Sequence, residues 1–132
     1  MTGRSYQRKF YRFTPDRELH ADISIVRVGK RDICTGAAKV NVLNLSTGGI
    51  RFTCGLVLPP DSTILYEFAL EAPWEYIRAQ GYIVHGKQKE PGIWEYGASF
   101  TGVDDRVRTY MSRLFRKISV QMKNCMILLK LE

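Results

Sequence analysis

Paired cysteines, long apolar runs, histidine clusters and glycine-rich phosphate loops are all missing from this 132-residue sequence. Its three cysteines (Cys34, Cys54 and Cys125) are an odd, scattered set without metal-ligand spacing. That excludes a disulfide framework and a zinc ribbon, and fits reduced thiols in a cytoplasmic protein. Even the apolar stretch Met126–Leu129 is far below the ~20 residues of a membrane span. The opening Met1-Thr2-Gly3-Arg4-Ser5-Tyr6 lacks the apolar core of a signal peptide. The two histidines, His20 and His85, are far apart and have no serine or cysteine motif to serve as bases. Neither P-loop nor dinucleotide-type glycine patterns occur, and the carboxylates form no recognisable acid/base pair. No enzymatic activity, resident cofactor or metal is therefore expected.

What is present reads as one globular domain. Hydrophobic residues make up 45% and charged residues 25%, which argues against disorder. The net charge of +7 is unevenly placed. Residues 1–17 set five basic residues against Asp16, and residues 104–132 set seven against three acidic ones. Between them, eight basic and nine acidic residues leave residues 18–103 near neutral. The expected organisation is thus a basic, flexible arm (1–17), a β-rich body (18–103) and a C-terminal helix (104–132). A basic arm attracts phosphates through long-range Coulomb forces, though a solvated, solubilising tail has the same composition.

The body reads as short strands separated by turn residues. Ile23 and Ile25 alternate with polar neighbours before Val26 and Val28 shift phase, which predicts a bulged strand. Val40 and Val42, then Ile50 and Phe52, continue the alternation. A turn at Pro59-Pro60-Asp61-Ser62 precedes Ile64, Tyr66, Phe68 and Leu70. Ile77, Ala79, Gly81 and Ile83 lead into an expected polar turn from His85 to Gly92, and Trp94, Tyr96, Ala98 and Phe100 form the last strand. So many short antiparallel strands favour a small barrel, because closure removes sheet edges. After Gly102 the period becomes helical: Val107, Tyr110, Met111, Leu114, Phe115, Ile118 and Met122 make one apolar stripe, with Asp104 as the expected N-cap. The apolar end, 126–129, either prolongs the helix, covers a barrel opening or joins two copies of the chain.

Two patterns bear on function. Arg8-Lys9-Phe10-Tyr11-Arg12 places two arginines four residues apart in the basic arm. Asn44-Leu45-Ser46-Thr47-Gly48-Gly49 puts short polar groups and glycines at a strand end. Gly49 is expected to permit a positive φ and a close backbone approach. Taken singly, the first is also a solvated charge run and the second an ordinary hairpin.

Together, in this order, they resemble the PilZ domain family, marked by RxxxR on the N-terminal segment and (D/N)xSxxG after the second barrel strand. Arg8 and Arg12 meet the first; Asn44, Ser46 and Gly49 meet the second. Ile50-Arg51-Phe52, the strand Trp94–Phe100 and the terminal helix are also similar to that family. The resemblance implies a mainly β fold: a six-stranded antiparallel barrel of the split type with a C-terminal helix. It also implies a cyclic di-GMP receptor whose ligand contacts are Arg8, Arg12, Asn44, Ser46 and Gly49. Asn44 replaces the commoner aspartate, which removes a negative charge and weakens the acceptor there. Arginine's planar fork suits phosphate oxygens or the O6/N7 edge of guanine. Phe10 is expected to anchor the arm on the barrel more than to stack on guanine. With a single domain, the signal is expected to pass to a separate protein partner, in motility, exopolysaccharide production, adhesion or virulence. Two rivals are a PilZ-like adaptor that binds only protein and a single-stranded nucleic-acid barrel stacking bases on its tyrosines and tryptophans.

Overall fold

The computed structural model describes the chain over residues 12–13, 19–72 and 75–131. In chain order the strands are β1 (Arg12–Phe13), β2 (His20–Val28), β3 (Arg31–Asp32), β4 (Ala38–Ser46), β5 (Gly49–Cys54), β6 (Ile64–Ala72), β7 (Glu75–Glu90) and β8 (Ile93–Phe100). Helix α1 (Asp105–Leu131) follows. Six strands run in the order β4-β5-β8-β7-β6-β2, and β2 pairs back onto β4, closing an antiparallel barrel. The two-residue strands β1 and β3 add to β4 and β2. A six-stranded barrel with a C-terminal helix is the architecture the sequence predicts.

The period-2 residues fill the interior. Ile23, Val40, Val42, Ile50, Phe52, Tyr66, Phe68, Leu70, Ile83, Tyr96 and Ala98 are buried in one cluster. Phe52 lies 5.7 Å from Phe68 and 5.6 Å from Tyr96, ring centre to ring centre, in the tilted arrangements aromatic pairs favour. Burying side chains of this size stabilises the fold by roughly 1.5–3 kcal/mol each.

Four register shifts interrupt the alternation, the last of them between Gln88 and Glu90 on β7. One falls between Ile25 and Arg27, where the phase shift in the sequence predicts it. A second, between Val42 and Asn44, sets two residues of β4 against one of β5. A third lies between Ile83 and His85 on β7. The expected polar turn from His85 to Gly92 is a correction: β7 runs on to Glu90, pairing with β8, and only Pro91-Gly92 turns. Every residue from His85 to Gly92 is exposed, so this hairpin meets water on both faces, and polarity alone does not mark a loop.

Helix α1 begins as expected. The Asp104 carboxylate accepts a hydrogen bond from the Val107 amide at 2.9 Å, and the Asp104 carbonyl accepts from Arg108 N–H. Met111 and Phe115 join the core. The predicted stripe is narrower than expected, because Tyr110 is 64% exposed and Val107 is also exposed. The helix continues through 126–129 to Leu131, the first of the three alternatives for that apolar end. Among the described residues, no helix is long and apolar enough to cross a membrane.

Candidate functional site

Asn44, Ser46 and Gly49 line one open cleft of about 150 Å³ on the outside of the barrel. Ile50, Arg51, Val84, His85, Gly97 and Ala98 complete its described lining. The β4 bulge explains how the motif gets there. Val40 and Val42 point inward, and strict alternation would carry Asn44 inward with them. The extra residue resets the phase, so Leu45 is buried and Asn44 and Ser46 are only partly so. Fully buried Thr47 then continues the new phase into the interior, and its Oγ1 has no hydrogen-bond partner among the described residues.

The β7 bulge acts in the same way on the far side. Ile83 is buried, and the slip turns Val84 and His85 outward. Registers between neighbours then align Asn44 with Arg51, Arg51 with Gly97, and Gly97 with His85. These four residues form a row across β4, β5, β8 and β7, roughly 14 Å long at normal strand spacing. A side chain at Gly97 would fall inside the His85 imidazole, so that ring lies over the bare glycine backbone.

Gly49 does not adopt the positive φ expected of it. Positive φ occurs at Gly29, Gly92 and Gly102, not at Gly49. Gly49 is paired with Ser99, and an added Cβ would run into the Ala98 carbonyl oxygen. Close approach of β5 to β8 is what requires glycine here. The Ser46 hydroxyl accepts a hydrogen bond from Gly48 N–H at 3.2 Å, which leaves its own proton free to donate outward.

Arg51 and His85 are cleft residues that the motif pattern does not name. Arg51 Nη2 donates to Glu95 Oε2. The Glu95 side chain is only 8% exposed, whereas that of Arg51 is 46% exposed. The hydrogen bond from Arg51 holds the Glu95 carboxyl below its ordinary range, against the opposing effect of burial, with help from the charges of Arg51, Lys87 and Lys89. The signal in the sequence is alternation itself: Arg51 stands between Ile50 and Phe52, and must face out if they face in.

On the arm, Arg12 is set directly opposite Ser46, and Phe13 opposite Leu45. Arg8, Phe10, Tyr11 and the side chain of Arg12 lie outside the described residues. Tyr66 and Tyr96 are inside the barrel and offer no base-stacking platform, whereas Trp94 is only partly buried against the core.

The family model of the PilZ domain matches residues 4–117. The chain belongs to the PilZ domain family. Solved structures agree on the fold. The PilZ domain of YcgR from Escherichia coli with c-di-GMP superimposes with a TM-score of 0.62 at 10% identity, covering 89% of this chain and 95% of that one. A structure of YcgR from Escherichia coli in complex with c-di-GMP gives 0.61 at 10% identity, covering 93% and 50%. The Bacillus subtilis inhibitor of motility, MotI/DgrA, gives 0.56 at 12% identity, covering 86% and 51%. The PilZ chain thus spans about half the length of the last two proteins. No curated protein sequence matches it.

Proposed function

We propose that this PilZ domain is a non-enzymatic, cytoplasmic receptor for cyclic di-GMP, holding it between the arm arginines Arg8 and Arg12 and the barrel residues Asn44, Ser46 and Gly49. The observation that carries this reading is the cleft the three motif residues line together, with Arg12 registered opposite Ser46 at its edge. In this reading Arg12 meets the ligand beside Ser46, its partner in register. The c-di-GMP bound by the similar E. coli domain supports the choice of ligand.

The chemistry matches the ligand. Cyclic di-GMP offers two phosphates and two guanines. Arginine forks bind either group bidentately, Asn44 supplies an amide, and Ser46 supplies a donating hydroxyl. A micromolar complex needs about 8 kcal/mol, and charge-assisted hydrogen bonds contribute roughly 1.5–3 kcal/mol each. Several such bonds suffice even after the arm is ordered. The arm's like charges repel one another until the ligand neutralises them. Its ordering over the cleft then creates the surface that a downstream protein reads. The similarity to an inhibitor of motility makes motility the first process to examine.

Titration calorimetry with cyclic di-GMP, beside cyclic di-AMP and GTP, tests this. Binding selective for cyclic di-GMP is expected, and Arg12→Ala should weaken it roughly 30- to 150-fold, corresponding to about 2–3 kcal/mol. Unchanged affinity in Arg12→Ala would remove the arm from the site. Absence of binding in the parent chain would leave the protein-only adaptor as the better reading.

A further inference from the structure

Arg51 is the only lysine or arginine among the described lining residues of the cleft, and it sits in the middle of the row Asn44–Arg51–Gly97–His85. Building on the receptor reading, we infer that Arg51 reads a guanine edge of the ligand, presenting N–H donors to the O6/N7 acceptor pair, and that Glu95 is the residue that positions it.

Placement comes first. Ile50 and Phe52 are locked in the core, so Arg51 is held facing outward from a central strand, not from a mobile loop. Its neighbour in register on β8 is Gly97, which has no side chain of its own and over whose backbone the His85 ring lies. One terminal nitrogen is fixed on Glu95 at the barrel wall while the rest of the side chain remains half-exposed in the cleft. A guanidinium carries five N–H donors in a rigid plane, so a single anchor orients the plane and leaves donors unused.

Charge then selects the group that is read. The Arg51 guanidinium is already paired with the Glu95 carboxylate, and a phosphate brought to it would compete with that carboxylate for the same donors. The O6/N7 edge of guanine is an uncharged acceptor pair and takes the donors left unused. Nor does Glu95 need an arginine simply for neutralisation. Lys87 stands opposite it in register on β7, and Lys89 also acts on its charge. A planar fork, which lysine cannot imitate, is what position 51 adds.

The test is calorimetry of the full chain with cyclic di-GMP at several salt concentrations, with thermal midpoints measured in parallel. Arg51→Ala and Arg51→Lys should both lose roughly 10- to 100-fold in affinity, the range of one bidentate base contact. The salt slope should stay that of the parent, since no phosphate contact is lost. Arg51→Ala leaves a buried carboxylate with one partner fewer, so the double variant Arg51→Ala/Glu95→Gln keeps the comparison free of misfolding and should bind as weakly as Arg51→Ala. Glu95→Ala should weaken binding several-fold, and Glu95→Gln, whose amide oxygen still accepts from Arg51, should restore it. Parental affinity in Arg51→Lys, or a shallower salt slope in Arg51→Ala, would make the contact a phosphate contact and overturn the inference. Parental affinity in the double variant would make Arg51 purely structural. If the parent binds and Asn44→Ala weakens it while the Arg51 variants do not, this inference alone fails. If the parent does not bind at all, the receptor reading fails with it.

Discussion

Two adjacent glycines in the motif turn should respond oppositely to the same methyl group. At Gly49 an added Cβ is driven into the Ala98 carbonyl oxygen and also meets the Ala98 carbonyl carbon at 3.2 Å and Ser99 Cα at 3.5 Å. All three atoms are backbone of β8, in a closed barrel, and none can rotate away as a side chain would. Forced overpacking typically costs about 1–3 kcal/mol, and a backbone obstacle places Gly49→Ala near the upper end. For a domain of this size that is a fall of roughly 10 °C in the thermal midpoint. At Gly48 the nearest atom to an added Cβ is Ser46 Oγ, at an ordinary 3.8 Å, and φ is not positive. Gly48→Ala should therefore be neutral or stabilising by up to about 1 kcal/mol, because alanine restricts the unfolded chain. Urea and thermal unfolding followed by circular dichroism measure both variants. A Gly49→Ala protein within about 0.5 kcal/mol of the parent, or a Gly48→Ala protein that is the less stable of the two, would refute the assignment of Gly49 to strand approach.

Two further outcomes follow from buried polar groups. The Tyr96 hydroxyl donates to the Leu56 carbonyl and accepts from Leu58 N–H, each at 2.7 Å, tying the 55–60 segment to the core. Tyr96→Phe should cost about 1–3 kcal/mol and speed amide exchange at Leu58, whereas unchanged exchange there would show that the tie is immaterial. Glu95 titrates below its ordinary value of 4.5 in the folded chain. The stability it provides is complete above that value and is lost as pH falls through the lower folded one. Unfolding measured from pH 6 to pH 3 should show Glu95→Gln losing less stability on acidification than the parent; parallel curves would mean the Arg51–Glu95 pair contributes nothing.

Alternation made much of the barrel readable in advance. Ile23, Val40, Phe52, Phe68 and Tyr96 announce their inward faces because a strand has only two sides, and each of these residues gains by leaving water. The bulge after Ile25 was visible because two apolar pairs fall out of phase. The bulges before Asn44 and His85 were hidden. A polar residue at either point suits an outward face equally well whether the phase slips or the strand ends. For the same reason the stretch from His85 to Glu90 reads as a loop, although it pairs with β8.

The order of residues alone settled that this chain has a greasy, period-2 body, a capped terminal helix and the spaced arginine and Asn-Ser-Gly signatures, since these follow from local preference and burial. Which signature residues meet was decided only by barrel closure. Two slips of one residue, on strands separated by β5 and β8, turn Asn44 and His85 to the same outer face as Arg51. Cross-strand register, a non-local quantity, then brings residues up to 53 positions apart in the sequence into a single row.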